Sequence, residues 1–295
     1  MCLIAFAIGA RADLPLVVAS NRDEHWARPT QPLQAWALPS GKTAYSGQDL
    51  RAGGTWLGLA QDGRVAMLTN VRNGRPDDAP RSRGELVTGW LDAACGWEEW
   101  LQRFDPAQYG GFNLVLGELA RGRWAWVSNR SPDPPDLADD ARAVCLPPGW
   151  HGRGLASGLY GLSNAALDTP WPKTVALKQA LQQHLDEGAR PQASDRLLAA
   201  LLHMTAVRDE QLPATGVALE VERRLSSPFV HAPEMDYGTR SSLLAHACSD
   251  GRLLLQEWTH DPAHPHAAAH GSGCWPLQGS RLRQMAIDCP LGLQA

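Results

Sequence analysis

Pairs of apolar strands joined by short turns recur along this chain, and they constrain its fold more than any other feature. Asp62-Gly63 and Asp250-Gly251 each separate two apolar runs. Such dipeptides favour the tight turns that join antiparallel strands. These turns and the apolar runs themselves predict four hairpins: 3–8 with 15–20, 53–60 with 64–70, 112–119 with 124–129, and 242–247 with 252–258.

Helical patterns occur in two blocks between these hairpins. In the first block, a helix starts at Ser82, where Ser82 and Glu85 fit a capping box, and a short helix follows at 97–104. The second block contains helices at 170–187 and 194–204. Antiparallel sheets with one buried face pack on each other, and helices then cover the outer faces. The predicted fold is α+β, a four-layer αββα sandwich, because a doubly wound sheet needs strict alternation of strand and helix.

The length of 295 residues suits a single large domain, which we place at residues 1–259. Residues 260–295 are rich in Pro, His, Ala and Gly and are interpreted as a flexible tail. A metal cluster is conceivable there, but the spacing matches no closed zinc motif. We therefore expect no metal site, with weak adventitious binding as the alternative; the residues considered are His260, His264, His266, His270 and Cys274.

Composition excludes several classes of function. The net charge of -4 argues against a nucleic-acid partner. The apolar start is too short to span a bilayer and has no positive leader, so we expect a soluble, cytoplasmic protein without stable membrane insertion. The six cysteines show no CxxC pairing, so a disulfide framework is not expected.

Cys2 stands directly before the apolar run that begins at Leu3. Removal of Met1 would leave Cys2 with both a thiol and a free α-amine. The reference pKa of the amine is about 8 and that of the thiol about 8.5, so the amine can act as the base for the thiol. This is the arrangement of an N-terminal nucleophile. The alternative is a small apolar residue at the edge of the core.

Polar residues follow the ends of four predicted strands. If these ends meet near Cys2, they supply a carboxylate for the amine, amide donors for an oxyanion, and a guanidinium that lowers the pKa of the thiol. The same residues could instead form ordinary ion pairs or cap their own strands. The four groups are Asn21-Arg22-Asp23-Glu24, Thr69-Asn70, Ser163-Asn164 and Thr239-Arg240.

An ordered set of motifs resembles the NRDE family, the transport-and-Golgi-organisation type proteins of bacteria and eukaryotes. The set runs from residue 1 to about 258. It consists of Met1-Cys2, Asn21-Arg22-Asp23-Glu24, Gly53-Gly54-Thr55-Trp56-Leu57-Gly58, Thr69-Asn70-Val71-Arg72, Ser82-Arg83-Gly84, Tyr160-Gly161-Leu162-Ser163-Asn164 and Tyr237-Gly238-Thr239-Arg240.

That family is in turn similar, more distantly, to the choloylglycine and penicillin V acylase branch of N-terminal-nucleophile hydrolases. The resemblance implies an αββα fold and cleavage of a linear amide C–N bond in a small N-acyl compound. It implies Cys2 as nucleophile, Asp23 as partner of the amine, Asn70 and Asn164 at the oxyanion, and Arg240 as electrostatic support. Further candidates for substrate contact are Asn21, Arg22, Thr69 and Trp56.

Two positions depart from the relatives with known amidase chemistry. Those relatives usually carry Arg three residues before the Asp, where this chain has Ser20. Arg22 instead precedes Asp23 directly, and alternation along a strand points the two side chains to opposite faces. The relatives also often carry Thr after the Cys, where this chain has Leu3. The hydrolase interpretation needs no cofactor; the alternative is a non-catalytic carrier of haem or acyl lipids.

Overall fold

The computed structural model describes residues 2–75, 78–131, 144–189, 194–261, 273–277 and 280–288. Within these residues there are fourteen strands and five α-helices. The strands are β1 (Cys2–Arg11), β2 (Leu14–His25), β3 (Thr30–Ala37), β4 (Thr43–Asp49), β5 (Leu57–Ala60), β6 (Arg64–Asn70), β7 (Phe112–Glu118), β8 (Arg123–Ser128), β9 (His151–Leu155), β10 (Gly158–Leu162), β11 (His231–Ala232), β12 (Tyr237–Ala247), β13 (Arg252–His260) and β14 (Ser280–Asp288). The helices are α1 (Gly84–Asp92), α2 (Trp97–Leu101), α3 (Pro172–Asp186), α4 (Asp195–Leu201) and α5 (Leu219–Arg224).

The strands form two seven-stranded sheets. The first sheet has the order β10-β1-β2-β12-β13-β14, with β11 paired to β12. It therefore contains both the first and the last strand of the described chain. The second sheet runs from β3 to β9 in chain order. Every pairing between neighbouring strands in this part of the chain is antiparallel.

Alternation of side chains along the strands divides the core into layers. Ile4 and Phe6 face the second sheet and pack with residues such as Met67 and Val115. Leu3, Ala5 and Ala7 face the other way and pack against α3 and α4. The outer face of the second sheet packs against α1 and α2. The layers are therefore helices, sheet, sheet and helices, which confirms the predicted αββα sandwich.

Two strands, β3 and β9, lie outside the predicted hairpins. β3 includes Pro32 and pairs with β4. Proline is tolerated there because β3 is the edge strand of its sheet and its register shifts between Gln31 and Gln34. β9 was also not predicted, because its sequence His-Gly-Arg-Gly-Leu has almost no apolar alternation.

The capping box predicted at the start of α1 does not form. Arg83 is the N-cap residue, and no side chain caps the helix. The carboxylate of Glu85 instead accepts a hydrogen bond from the Tyr109 hydroxyl at 2.5 Å and pairs with Arg81. The Glu85 carboxylate therefore makes tertiary contacts instead of the local capping hydrogen bond that the sequence predicted.

The domain extends beyond residue 259, so the interpretation of 260–295 as a tail is wrong for part of that segment. β14 pairs with β13 along its whole length, and Met285 and Ile287 pack against the core between the sheets. Trp275 is buried against Phe229. His260 is buried and hydrogen-bonds Ser242 and Ser280. The other histidines considered for a metal cluster, His264, His266 and His270, lie outside the described residues.

Three further properties concern the described part of the chain. Its helices are all too short or too polar to cross a membrane. It contains no group of three or more His, Cys, Asp or Glu side chains placed to hold a metal ion. The five cysteines it includes are free thiols, and Cys289 lies outside it.

Strand β14 should contribute to the stability of the whole domain. We expect Met285→Asp and Ile287→Asp each to lower the free energy of unfolding by about 1–2 kcal/mol, because each places a charge against the core. The exposed Gln284 and Ala286 on the same strand, changed to Asp, provide the matched controls. The measurement is chemical denaturation, and equal loss in both pairs would contradict the packing role.

A buried histidine pair makes the stability depend on pH. His184 on α3 and His246 on β12 lie with their Nε2 atoms 3.2 Å apart. Burial lowers the pKa of both, that of His246 to about 3. The folded protein therefore keeps His246 neutral, whereas the unfolded chain takes up a proton below about pH 6.5.

We expect the free energy of unfolding to fall by roughly 2 kcal/mol more between pH 7 and pH 5 than in a variant without this group. His246→Gln removes the titrating group, and His203→Gln, at an exposed site, is the control. Denaturant unfolding at the two pH values gives the comparison. The same pH sensitivity in His246→Gln and the parent protein would refute the explanation.

Candidate active site

The pairing of β1 with β2 determines where Cys2 points. Cys2 lies directly opposite Arg22 in the antiparallel register, so both side chains lie on the same face of the sheet. That face is the one that Ile4 and Phe6 continue into the core between the sheets. Cys2 therefore lies at the end of the apolar stripe, and only 6% of its surface is exposed.

A pocket of about 550 Å³ opens at Cys2. Its wall brings together four of the other residues predicted from the sequence: Arg22, Asp23, Trp56 and Asn70. The remaining wall comes from the segments 49–55 and 79–84 and from Glu24, Arg28 and Leu68. The pocket is therefore mainly polar and rich in arginine.

Arg22 is the positive group on the wall next to Cys2. Its guanidinium lies over the ring of Trp56, 4.3 Å from the ring centre. Its Nη2 is 3.8 Å from a carboxylate oxygen of Glu24 and 3.9 Å from one of Asp49. Its Nη1 is buried and has no hydrogen-bond partner among the described residues. A buried donor in that state favours a ligand that presents an oxygen acceptor.

Asp23 is held by the neighbouring strand β12. The hydroxyl of Thr239 donates to its Oδ1 at 2.7 Å, and the hydroxyl of Tyr237 donates to its backbone carbonyl at 2.9 Å. Burial raises the pKa of the Asp23 carboxyl, and the charge of Lys173 opposes that rise. The carboxyl position is therefore constrained on the helix side of the sheet.

Lys173 belongs to a group of buried charges that the sequence did not indicate. It is 4% exposed at the start of α3, and its Nζ donates to the carbonyl of Leu225 at 2.8 Å. Burial lowers its pKa to about 8, against the attraction of Asp23. Arg72 and Glu222 form a second buried pair, with 2.7 Å between nitrogen and oxygen. Arg72 belongs to the motif Thr69-Asn70-Val71-Arg72, whereas no local sequence pattern indicates Lys173 or Glu222.

The Cys2 thiol needs a base. Burial raises the pKa of this thiol; the positive charge of the chain terminus opposes that rise, the charge of Asp23 adds to it, and Arg22 opposes it more weakly. A thiol in this environment is protonated at neutral pH. Its reactivity therefore depends on a group that accepts the proton.

Asn70 and Asn164 are linked on the side of the pocket opposite β2. Asn164 Nδ2 donates to the backbone carbonyl of Asn70 at 2.9 Å, and the amide of Arg72 donates to the carbonyl of Asn164 at 2.8 Å. Ser163 Oγ donates to the carbonyl of Cys2 at 3.4 Å. Asn70 lines the pocket, and Asn164 is buried behind it.

Three other predicted residues make contacts away from the pocket wall. The amide of Asn21 donates to the carbonyls of Leu201 and Pro228, on the helix side of the sheet. Thr69 Oγ1 donates to the carbonyl of Ser163 at 2.5 Å. Arg240 Nη1 donates to three carbonyls at and after the end of β2, those of His25, Trp26 and Arg28. These contacts hold the strand ends in place but do not reach the pocket wall.

The fold also occurs in a solved structure. A mutant conjugated bile acid hydrolase from Clostridium perfringens superposes with a TM-score of 0.51, over 99% of this chain and 94% of that chain. The two sequences are 8% identical, so the likeness concerns the fold alone. That fold is of the N-terminal-nucleophile hydrolase type.

The sequence is similar to animal proteins over most of its length. The Transport and Golgi organization protein 2 homolog of Bos taurus is 32% identical over 276 residues, which are 87% of this chain and 92% of that protein. The Transport and Golgi organization protein 2 of Drosophila melanogaster is 29% identical over 287 residues, 90% and 94% of the two chains. The sequence profile of the family described as Transport and Golgi organisation 2 matches residues 1–262. The chain therefore belongs to the Transport and Golgi organisation 2 family.

Proposed function

We propose that this protein is an N-terminal cysteine amidohydrolase that cleaves the linear amide C–N bond of a small N-acyl compound once Met1 has been removed. The observation that supports it most is the position of Cys2 in the wall of a polar pocket that also contains Arg22, Asp23 and Asn70. This combination provides a nucleophile, a positive charge and an amide in one pocket, with the Asp23 carboxylate held on the helix side of the same sheet.

In the first step, the α-amine of Cys2 accepts the proton of the thiol. The amine is the nearest possible base, because it belongs to the same residue. Asp23, held by Thr239, orients the amine and stabilises its protonated form. Lys173 stabilises the charge of Asp23 in turn.

In the second step, the thiolate attacks the carbonyl carbon of the amide. The negative charge that develops on the carbonyl oxygen is stabilised by the Asn70 amide, which Asn164 positions, and by Arg22. The C–N bond breaks, and the leaving nitrogen takes the proton from the Cys2 amine. Water then adds to the thioester carbon, the C–S bond breaks, and the acyl group leaves as a carboxylate while Cys2 recovers its thiol.

Cys2 should be the most reactive thiol of the mature protein. We expect intact mass spectrometry to show that Met1 is absent. We also expect Cys2 to react with iodoacetamide at pH 7 at least about tenfold faster than the exposed Cys145, because its amine removes the proton. Peptide mass analysis gives the rate at each cysteine, and Cys2→Ala is the control. Retained Met1, or labelling of Cys2 no faster than Cys145, would favour the alternative, a non-catalytic carrier of haem or acyl lipids.

Substitutions of Asn70 and Asp23 should distinguish activation of the Cys2 thiol from its attack on the amide. We expect Asn70→Ala to lower kcat on chromogenic acyl anilides by about 100-fold or more without slowing iodoacetamide labelling of Cys2, because the amide acts on the oxyanion alone. Asp23→Asn should slow both, since the amine loses its partner.

Asp186→Asn, at an exposed helical site, is the matched control for both measurements. Unchanged hydrolysis in Asn70→Ala would remove this residue from the oxyanion site.

A further inference from the structure

A second cavity adjoins the Cys2 pocket and has a different lining. It encloses about 510 Å³ between the 70–75 segment and α5. We call it the arginine groove. Its apolar lining consists of Val71, Val217, Val221, Leu225 and Met235. Cavities of this size with apolar walls hold small organic ligands.

Basic side chains surround this apolar surface. The groove is also lined by His25, Arg72, Arg75, Arg83 and Arg130, and by no acidic residue within the described chain. Arg72 is neutralised by Glu222. Within the described chain, Arg75 and Arg130 make no ion pair with a carboxylate. A groove with an apolar floor and several arginines in its wall complements an amphiphilic anion.

The groove borders the Cys2 pocket. Asn70 and Arg83 line both cavities. Tyr237, whose hydroxyl donates to the backbone carbonyl of Asp23, also lines the groove. A ligand that reaches Asn70 from the groove would therefore place its end next to the proposed oxyanion site.

We infer that the arginine groove is the acyl subsite: it takes an unbranched acyl chain and binds the carboxylate that hydrolysis of the amide releases. The chain lies along the valines, and Arg83 meets the carboxylate where the two cavities join, with Arg75 and Arg130 adding positive charge. Assigning this carboxylate as a product rests on the proposed function. The polar half of the substrate then occupies the Cys2 pocket.

Direct binding tests this assignment without turnover. The full-length Cys2→Ser protein is titrated calorimetrically with decanoate and with 1-decanol, which has the same chain length without the charge. We expect one saturable site, with decanoate bound more tightly than decanol. No saturable binding of decanoate would overturn the assignment.

Substitutions locate the site. We expect Val221→Glu, and in case that variant folds poorly Val217→Glu, to weaken decanoate binding by at least about tenfold, since each places a carboxylate in the groove. Val175→Glu, at an exposed position of α3, is the matched control. Arg130→Gln should weaken decanoate by about tenfold and leave decanol unchanged, with Arg121→Gln at an exposed ion pair as control. An affinity for decanoate that is unchanged in both valine variants would refute the inference.

The outcome is separable from that of the proposed function. If Cys2 hydrolyses no amide but the groove binds decanoate as expected, the ligand assignment stands and the hydrolysis falls. If amides are hydrolysed while the affinity for decanoate is unchanged in the groove variants, only the acyl subsite is refuted.

Discussion

The antiparallel pairing of β1 with β2 is the interaction on which the site depends. Its register places Cys2 opposite Arg22 and next to Asp23, and the apolar stripe of β1 anchors that register in the core. A shift by one residue would turn the thiol to the helix side of the sheet. The second sheet then completes the pocket by contributing Trp56 and Asn70.

Buried charges behind the pocket are the costly part of this arrangement. Four charged side chains are largely removed from water: Asp23, Lys173, Arg72 and Glu222. Each would destabilise the fold if it were alone. They compensate one another: Arg72 pairs directly with Glu222, and Lys173 opposes the rise in the pKa of Asp23. Such networks persist where a site needs a defined protonation state, which agrees with the proposed role of Asp23 at the Cys2 amine.

The two adjoining cavities differ in a way that matters for the chemistry. The Cys2 pocket mixes acidic and basic groups, whereas the arginine groove combines an apolar floor with arginines. Asn70 lies at the junction of the two. A scissile bond located there would have a polar part on one side and an acyl chain on the other.

The sequence by itself determined the sandwich architecture, because hairpin turns and apolar alternation are local signals, and it singled out Cys2, Arg22, Asp23 and Asn70 through motifs. Local signals failed for β3, where Pro32 is tolerated only because that strand is at an edge, and for β14, which pairs with a strand on the other side of a Pro- and His-rich segment. Only the tertiary structure decided which polar strand ends line the pocket, and it placed Asn21, Thr69 and Arg240 in hydrogen bonds away from the pocket wall. It alone also revealed Lys173 and the arginine groove, because both result from packing between segments far apart in the chain, and no pattern of neighbouring residues encodes such packing.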